Sequence, residues 1–96
     1  MSDPENLADV RARIDALDLE LTRLLARRQE LVRAAADFKA DEAAVRAPDR
    51  VEQVVAAARE RATVEGLAPE VAEAVWRAMI AAFIEFELAR HRDSTR

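Results

Sequence analysis

Residues 7–38 read LADVRARIDALDLELTRLLARRQELVRAAADF, and apolar side chains recur in this stretch at alternating intervals of three and four positions. This spacing is a heptad repeat, which predicts a long helix with one apolar seam. The seam consists of Leu7, Val10, Ile14, Leu17, Leu21, Leu24, Leu31, Ala35 and Phe38. Asp3 can cap the helix and Pro4 can occupy its first turn, so we predict a first helix over about residues 5–40.

Prolines and the single glycine divide the rest of the chain. We predict a loop over residues 40–47, followed by a second helix that begins at Pro48 and ends near Gly66. A third helix is expected to start around Pro69 and to reach about Arg92, with a frayed tail over residues 93–96. The predicted fold class is therefore all-α, with three helices in one domain of residues 1–96.

The length of the first helix predicts how the chain assembles. A helix of about 35 residues is about 50 Å long, whereas a compact monomer of this size has a radius of gyration near 12 Å. Two shorter helices of the same chain cannot cover such a seam. We therefore predict an intertwined homodimer, in which the seams of two copies lie alongside each other.

Composition excludes several classes of protein. The chain of 96 residues has a net charge of -4, contains no Cys and has a single His, His91. These counts argue against a disulfide framework and a zinc site, so we expect no metal. The negative charge argues against a nucleic-acid partner. No apolar run approaches the roughly 20 residues that span a bilayer, and the acidic N-terminus is unlike a signal peptide. We expect a cytoplasmic protein without a membrane partner.

Two basic residues of the first helix stand out by position or type. Arg28 occupies a seam position. Its side chain either reaches the solvent at the rim, or pairs with a carboxylate, or binds an anion in an internal site. Lys39 is the only lysine among 15 basic residues. It is either a solvated residue at the helix end, where the helix dipole favours a positive charge, or it supplies a compact ammonium to a ligand. Both residues together predict a cationic pocket inside the dimer.

Glu87 extends an apolar row of the third helix. The row contains Trp76, Ile80, Phe83 and Ile84. A carboxyl at its end is protonated, paired with a cation, or exposed at the rim, and the cationic pocket is a natural partner. Arg11 lies beside the seam, about 42 Å from Lys39 along one continuous helix. It is either a surface charge or part of a second site, reached across the dimer.

The chain resembles the all-helical class of chorismate mutases over nearly its whole length. The resemblance rests on LADVRARIDALD at residues 7–18, the pair Arg27–Arg28, Lys39 after Phe38, and PDRV at residues 48–51. It implies an intertwined dimer with two sites, each of which binds a small dicarboxylate substrate without a cofactor.

The resemblance also implies roles for single residues. Arg28 and Lys39 would come from one subunit and Arg11 from the other, with the arginines binding the substrate carboxylates. Lys39 would donate to the enolpyruvyl ether oxygen, and Glu87 would donate from the other side. The remaining predicted substrate contacts are Arg50, Val51 and Phe83. The reaction would be pericyclic, with catalysis by holding a compact conformer and stabilising charge on the ether oxygen.

Two positions depart from the pattern of this family. Many members carry Gln where this chain has Glu87, which can donate only when it is protonated. Typical members also have Glu directly after the loop arginine, where it accepts from the 4-hydroxyl of the substrate. This chain has Val51 there, and residues 39–51 look more like isochorismate pyruvate lyases.

Three functions follow as predictions. The favoured one is rearrangement of a chorismate-type substrate to a prephenate-type product, with 4-amino-4-deoxychorismate, used on routes to antibiotic precursors, preferred over chorismate itself. The alternative is elimination of pyruvate from isochorismate to give salicylate. The third is a helical dimerisation or regulatory module without catalysis.

Overall fold

A computed structural model describes residues 2–94, and these residues form three long helices and one short helix. The elements are α1 (Leu7–Ala36), α2 (Glu42–Arg46), α3 (Pro48–Glu65) and α4 (Pro69–Ser94). The all-helical class and the three long helices are confirmed. The intertwined dimer stays a prediction. Within residues 2–94, no helix is both long enough and apolar enough to cross a membrane.

The first helix is shorter than predicted at both ends. It begins after Asn6, whose Oδ1 accepts a hydrogen bond of 2.8 Å from the amide of Asp9. Asp3 and Pro4 precede the helix, because Asn6 caps the first turn from a position closer to the seam. At the other end the amides of residues 37–39 donate to carbonyls three residues back. This tight turn ends α1 at Ala36 and leaves Lys39 beyond the helix.

The predicted loop over residues 40–47 is wrong in part, since it contains α2. Asp41 accepts a hydrogen bond of 2.9 Å from the amide of Ala44, and this N-cap lets the alanine-rich segment form one helical turn. Ala47 then adopts a left-handed conformation, with φ of 35° and ψ of 64°, before Pro48 opens α3. The predicted bounds of α3 are confirmed, with Gly66 as its left-handed cap.

The fraying predicted for the tail is wrong for Asp93 and Ser94, because α4 continues through both residues. Thr95 and Arg96, on which the rest of that prediction falls, lie outside the described residues. The chain divides into two compact units, Met1–Leu31 and Val32–Arg96.

The N-terminal unit is the main part of α1. Among residues 2–31 no side chain is buried, and the leucines of the seam are exposed over more than half of their surface. Its Arg13 pairs with Asp9 one turn earlier, at 3.1 Å. This unit therefore presents its apolar face to its surroundings.

The C-terminal unit holds the core. In it α3 and α2 both pack against α4. Small and branched apolar side chains fill the space between them, and the buried ones are Ala36, Val45, Val55, Ala58, Ala62, Ala72, Ile80 and Leu88. The many alanines bring the helix backbones close together. This packing fixes the side chains that α4 carries.

An ionic clamp on the surface joins α3 to α4. Arg77 of α4 donates two hydrogen bonds to Glu52 at 2.8 and 2.9 Å, and a third to Glu73 at 2.8 Å. Arg59 of α3 donates to the other oxygen of Glu73 at 2.9 Å. The hydrogen bonds from Arg77 lower the pKa of both carboxyls below the ordinary value and raise the pKa of Arg77 itself.

Candidate active site

A partly buried ion pair connects the turn after α1 to the second half of α4. Lys39 Nζ donates to Glu87 Oε2 at 2.8 Å. The Glu87 side chain is only 7% exposed, whereas that of Lys39 is 27% exposed. A carboxylate at such depth is stable only when it is paired. Of the alternatives for Glu87, pairing with a cation is therefore the one that the structure adopts, and Lys39 is not a solvated helix end.

The main chain of Lys39 is bonded as well as its side chain. Its amide donates to the carbonyl of Ala36 at 3.3 Å. Its carbonyl lies 3.2 Å from Nε2 of His91, and because a carbonyl oxygen can only accept, the imidazole is the donor. His91 follows Glu87 by one helical turn, so α4 presents both residues on one face. Three hydrogen bonds thus hold the only lysine of the chain.

Aromatic rings lie on α4 beside this pair. Phe83, which is half-buried, precedes Glu87 by one turn and meets Phe86 edge to face, with ring centroids 6.5 Å apart. The guanidinium of Arg33 stands over the Phe86 ring at 5.9 Å. The heptad gave Arg33 no role, because its position points away from the seam. In the fold Arg33 is a second half-buried cation on the unit that carries Glu87.

The start of α3 carries the two other predicted residues of this unit. Arg50 is exposed and Val51 is half-buried. The next residue, Glu52, is engaged by the two hydrogen bonds from Arg77. The carboxylate nearest to Val51 in sequence therefore has a structural partner and does not replace a carboxylate at position 51. That Arg50 and Val51 reach a common ligand with Lys39 stays a prediction.

Arg11 and Arg28 belong to the N-terminal unit. Arg11 is exposed and Arg28 is half-buried. The spacing argument that placed Lys39 on the same helix as both arginines is wrong, because α1 ends three residues before Lys39. The convergence of these arginines with Lys39, from one subunit or two, stays a prediction.

The chemistry open to this arrangement is hydrogen bonding and charge stabilisation. A fixed ammonium that is partly open to solvent can donate to an oxygen acceptor of a ligand. Residues 2–94 hold no group of three or more carboxylates or imidazoles able to bind a metal ion.

Comparison with known proteins agrees with the resemblance. A family model described as chorismate mutase type II matches residues 10–88. An isochorismate pyruvate lyase from Pseudomonas aeruginosa is 50% identical over 54 residues, a match that covers 53% of this chain and 54% of that protein. The similarity thus spans about half the length of the curated relative.

Proposed function

This chain belongs to the chorismate mutase type II family, and we propose that it catalyses a pericyclic reaction of a chorismate-type dicarboxylate as a homodimer without a cofactor. The observation that carries the proposal is the partly buried pair of Lys39 and Glu87 at 2.8 Å. Burying the charge of Glu87 costs free energy that its pair with Lys39 need not fully repay, so the presence of this pair fits a functional use.

In the proposed mechanism Lys39 donates to the enolpyruvyl ether oxygen of the substrate. Negative charge develops on that oxygen as its bond to the ring breaks, and a donor already in place stabilises it without reorganisation. Glu87 holds the ammonium while it is ionised, and it can itself donate only in a protonated form. Arg28, and Arg11 of the second copy, bind the two carboxylates and so favour the compact reactive conformer.

We propose isochorismate as the preferred substrate. Val51 offers no acceptor to a 4-hydroxyl, and the neighbouring carboxylate of Glu52 is already bonded to Arg77. Isochorismate has no hydroxyl at that position. The 50% identity to an isochorismate pyruvate lyase supports the same choice. In the reaction the ring–ether bond breaks, one ring hydrogen moves to the methylene of the side chain, and pyruvate and salicylate result.

Rearrangement of 4-amino-4-deoxychorismate is the second candidate, and Val51 favours it over rearrangement of chorismate. An unpaired buried hydroxyl costs about 1–3 kcal/mol, which corresponds to roughly tenfold to hundredfold in specificity. 4-Amino-4-deoxychorismate carries an amino group in place of that hydroxyl, so the cost of an unpaired 4-hydroxyl does not apply to it. The chorismate reaction is therefore the least favoured of the three.

One assay separates these reactions. We expect the purified protein to release pyruvate and salicylate from isochorismate with a kcat/KM well above its values for the other two compounds, with products identified by mass. Val51→Glu should raise kcat/KM for chorismate and leave isochorismate without gain. A wild-type preference for chorismate, with no gain from the substitution, would contradict the proposed role of Val51.

The role of Lys39 is tested in a background that leaves no buried carboxylate without its cation. Lys39→Ala alone strands the buried carboxylate of Glu87, so its effect mixes folding with catalysis. We therefore compare Lys39→Ala/Glu87→Gln with Glu87→Gln, which retains an amide donor and acceptor at the position. The double variant should lose at least about 10²-fold in kcat, typical for removal of one electrostatic donor. Equal turnover by the two proteins would reject Lys39 as the donor.

The non-catalytic module makes a different prediction. It requires that none of the three compounds is converted and that a bicyclic dicarboxylate mimic of the transition state does not bind. Calorimetric titration with such a mimic decides this point independently of turnover.

A further inference from the structure

We infer that His91 is a positioning residue for Lys39, acting through the main chain of the lysine rather than on the substrate. The inference rests on the proposed function in one respect only, namely that the position of Lys39 matters for turnover. The contact itself is the hydrogen bond of 3.2 Å from His91 Nε2 to the Lys39 carbonyl.

The need for such a contact arises from where α1 ends. Lys39 lies in an irregular segment between α1 and α2, so no helical ladder holds its carbonyl. Glu87 fixes only the tip of a side chain that has four rotatable bonds. With the His91 bond, both the base and the tip of that side chain are attached to α4. The ammonium then has few positions available relative to Glu87.

A second contact from the same turn of α4 acts on the same segment. Glu42 follows Lys39 by three residues, and its Oε1 accepts a hydrogen bond of 3.0 Å from Arg92 Nε. Residues 39–42 are therefore attached to α4 at both ends, by His91 and by Arg92. The Arg92 pair is exposed and is expected to contribute little, which leaves His91 as the stronger of the two attachments.

The competing explanation is a charge effect at the helix end. A histidine near the C-terminus of α4 can stabilise that helix through its dipole without any contact to Lys39. The two explanations differ in what a neutral donor does at position 91. His91→Gln retains an N–H that can reach the Lys39 carbonyl, whereas His91→Phe retains the ring shape and removes the donor.

The experiment uses the fact that Lys39 is the only lysine and His91 the only histidine. Protein labelled with 15N-lysine gives one ammonium signal, which reports on Lys39 alone. We expect a slowly exchanging signal in the wild type and in His91→Gln. In His91→Phe the exchange rate should rise at least tenfold, towards that of free lysine. Arg90→Ala, an exposed neighbour on α4, is the matched control and should leave the signal unchanged.

Turnover gives the second readout. We expect His91→Phe to lower kcat by roughly tenfold to hundredfold with KM nearly unchanged, as a small displacement of a reacting group does, and His91→Gln to restore most of it. Thermal unfolding confirms that each variant is folded, and His91→Ala replaces His91→Phe if the latter does not fold. A donor-free variant with the wild-type lysine signal overturns the inference.

Failure of the proposed function gives a different pattern. The wild type would then convert none of the three substrates, while the lysine signal would still respond to His91→Phe. Loss of kcat that His91→Gln does not restore, with an unchanged lysine signal, would also overturn the inference.

Discussion

The two units of the chain treat their apolar side chains in opposite ways. In the C-terminal unit Leu88 is fully buried and Ile80 nearly so, within the packing of α2 and α3 on α4. In the N-terminal unit Leu17 and Leu24 remain more than half exposed, although they belong to an unbroken heptad. The residues that hold Lys39 therefore belong to a unit with its own hydrophobic core. The apolar side chains of the seam, in contrast, are not buried in any core. The proposed second copy would supply that core.

The largest expected effect comes from charges on the seam. Leu17→Asp together with Leu24→Asp should abolish dimerisation and activity, because each leucine contributes about 1.5–3 kcal/mol when it is buried and a buried unpaired carboxylate is far more costly. Sedimentation and circular dichroism at micromolar concentration measure the result. Val64→Asp is the matched control, since Val64 is 83% exposed and lies outside the seam. A double variant that keeps the wild-type mass and helicity would show that the seam is not an interface.

Mixing two inactive variants tests whether the N-terminal unit of one copy and the C-terminal unit of the other form a site together. Arg11→Ala and Lys39→Ala/Glu87→Gln each carry a lesion in a different unit. If Arg11 acts across the dimer, exchanged heterodimers contain one site with both lesions and one intact site, so about a quarter of wild-type activity should return in an equal mixture. Activity is measured after subunit exchange, with each variant alone as control. Mixtures that stay inactive would contradict a shared site.

Truncation of a core side chain measures how much the core of the C-terminal unit contributes to the free energy of unfolding. Leu88→Ala should lower the free energy of unfolding by about 2–5 kcal/mol, as truncation of a buried leucine does. Leu19→Ala is the matched control, because Leu19 is 53% exposed and off the seam, and its cost should stay within about 0.5 kcal/mol. Urea unfolding at one fixed protein concentration gives both values. Equal costs for the two variants would remove the contrast between the units.

The smallest effect is expected from the ionic clamp. Hydrogen bonds from Arg77 hold the pKa of Glu52 and Glu73 below 4.5, so the folded protein binds fewer protons there than the unfolded chain. Their stabilisation is present above pH 4.5 and disappears as the pH falls through the lowered values. Arg77→Gln should therefore lower Tm slightly at about pH 7 and hardly at all at about pH 3. A difference in Tm that does not depend on pH would mean that the clamp stabilises by packing alone.

Proline and glycine residues at helix boundaries made parts of the fold predictable from sequence. Pro48 and Gly66 act through their own backbone preferences, and α3 has the bounds that they predict. The end of α1 was not predictable in this way, because residues 37–39 are compatible with a helix and contacts of Lys39 with α4 override that tendency. The Asp41 cap of α2 was present in the sequence as a local signal.

The candidate site was predictable where residue type conflicts with position. Arg28, the lone Lys39 and Glu87 on an apolar row predicted a charged pocket, and of these contacts the structure shows the one between Lys39 and Glu87 at 2.8 Å. The pocket itself, with Arg28, stays a prediction. The role of His91 was not predictable from periodicity or composition, because its bond is to a main-chain carbonyl 52 positions away. Only its spacing of one turn from Glu87 placed it on the relevant face.

Ala47 carries a consequence for the stiffness of the segment between Lys39 and Arg50. It occupies the left-handed region at φ of 35°, where a side chain costs about 1–2 kcal/mol relative to glycine. Alanine narrows the unfolded ensemble, which offsets about 0.4–1 kcal/mol of that cost. Ala47, which joins α2 to α3, is thus held in an unfavourable backbone conformation and has little conformational freedom. Glycine there would relieve the conformation and give the joint additional freedom of motion.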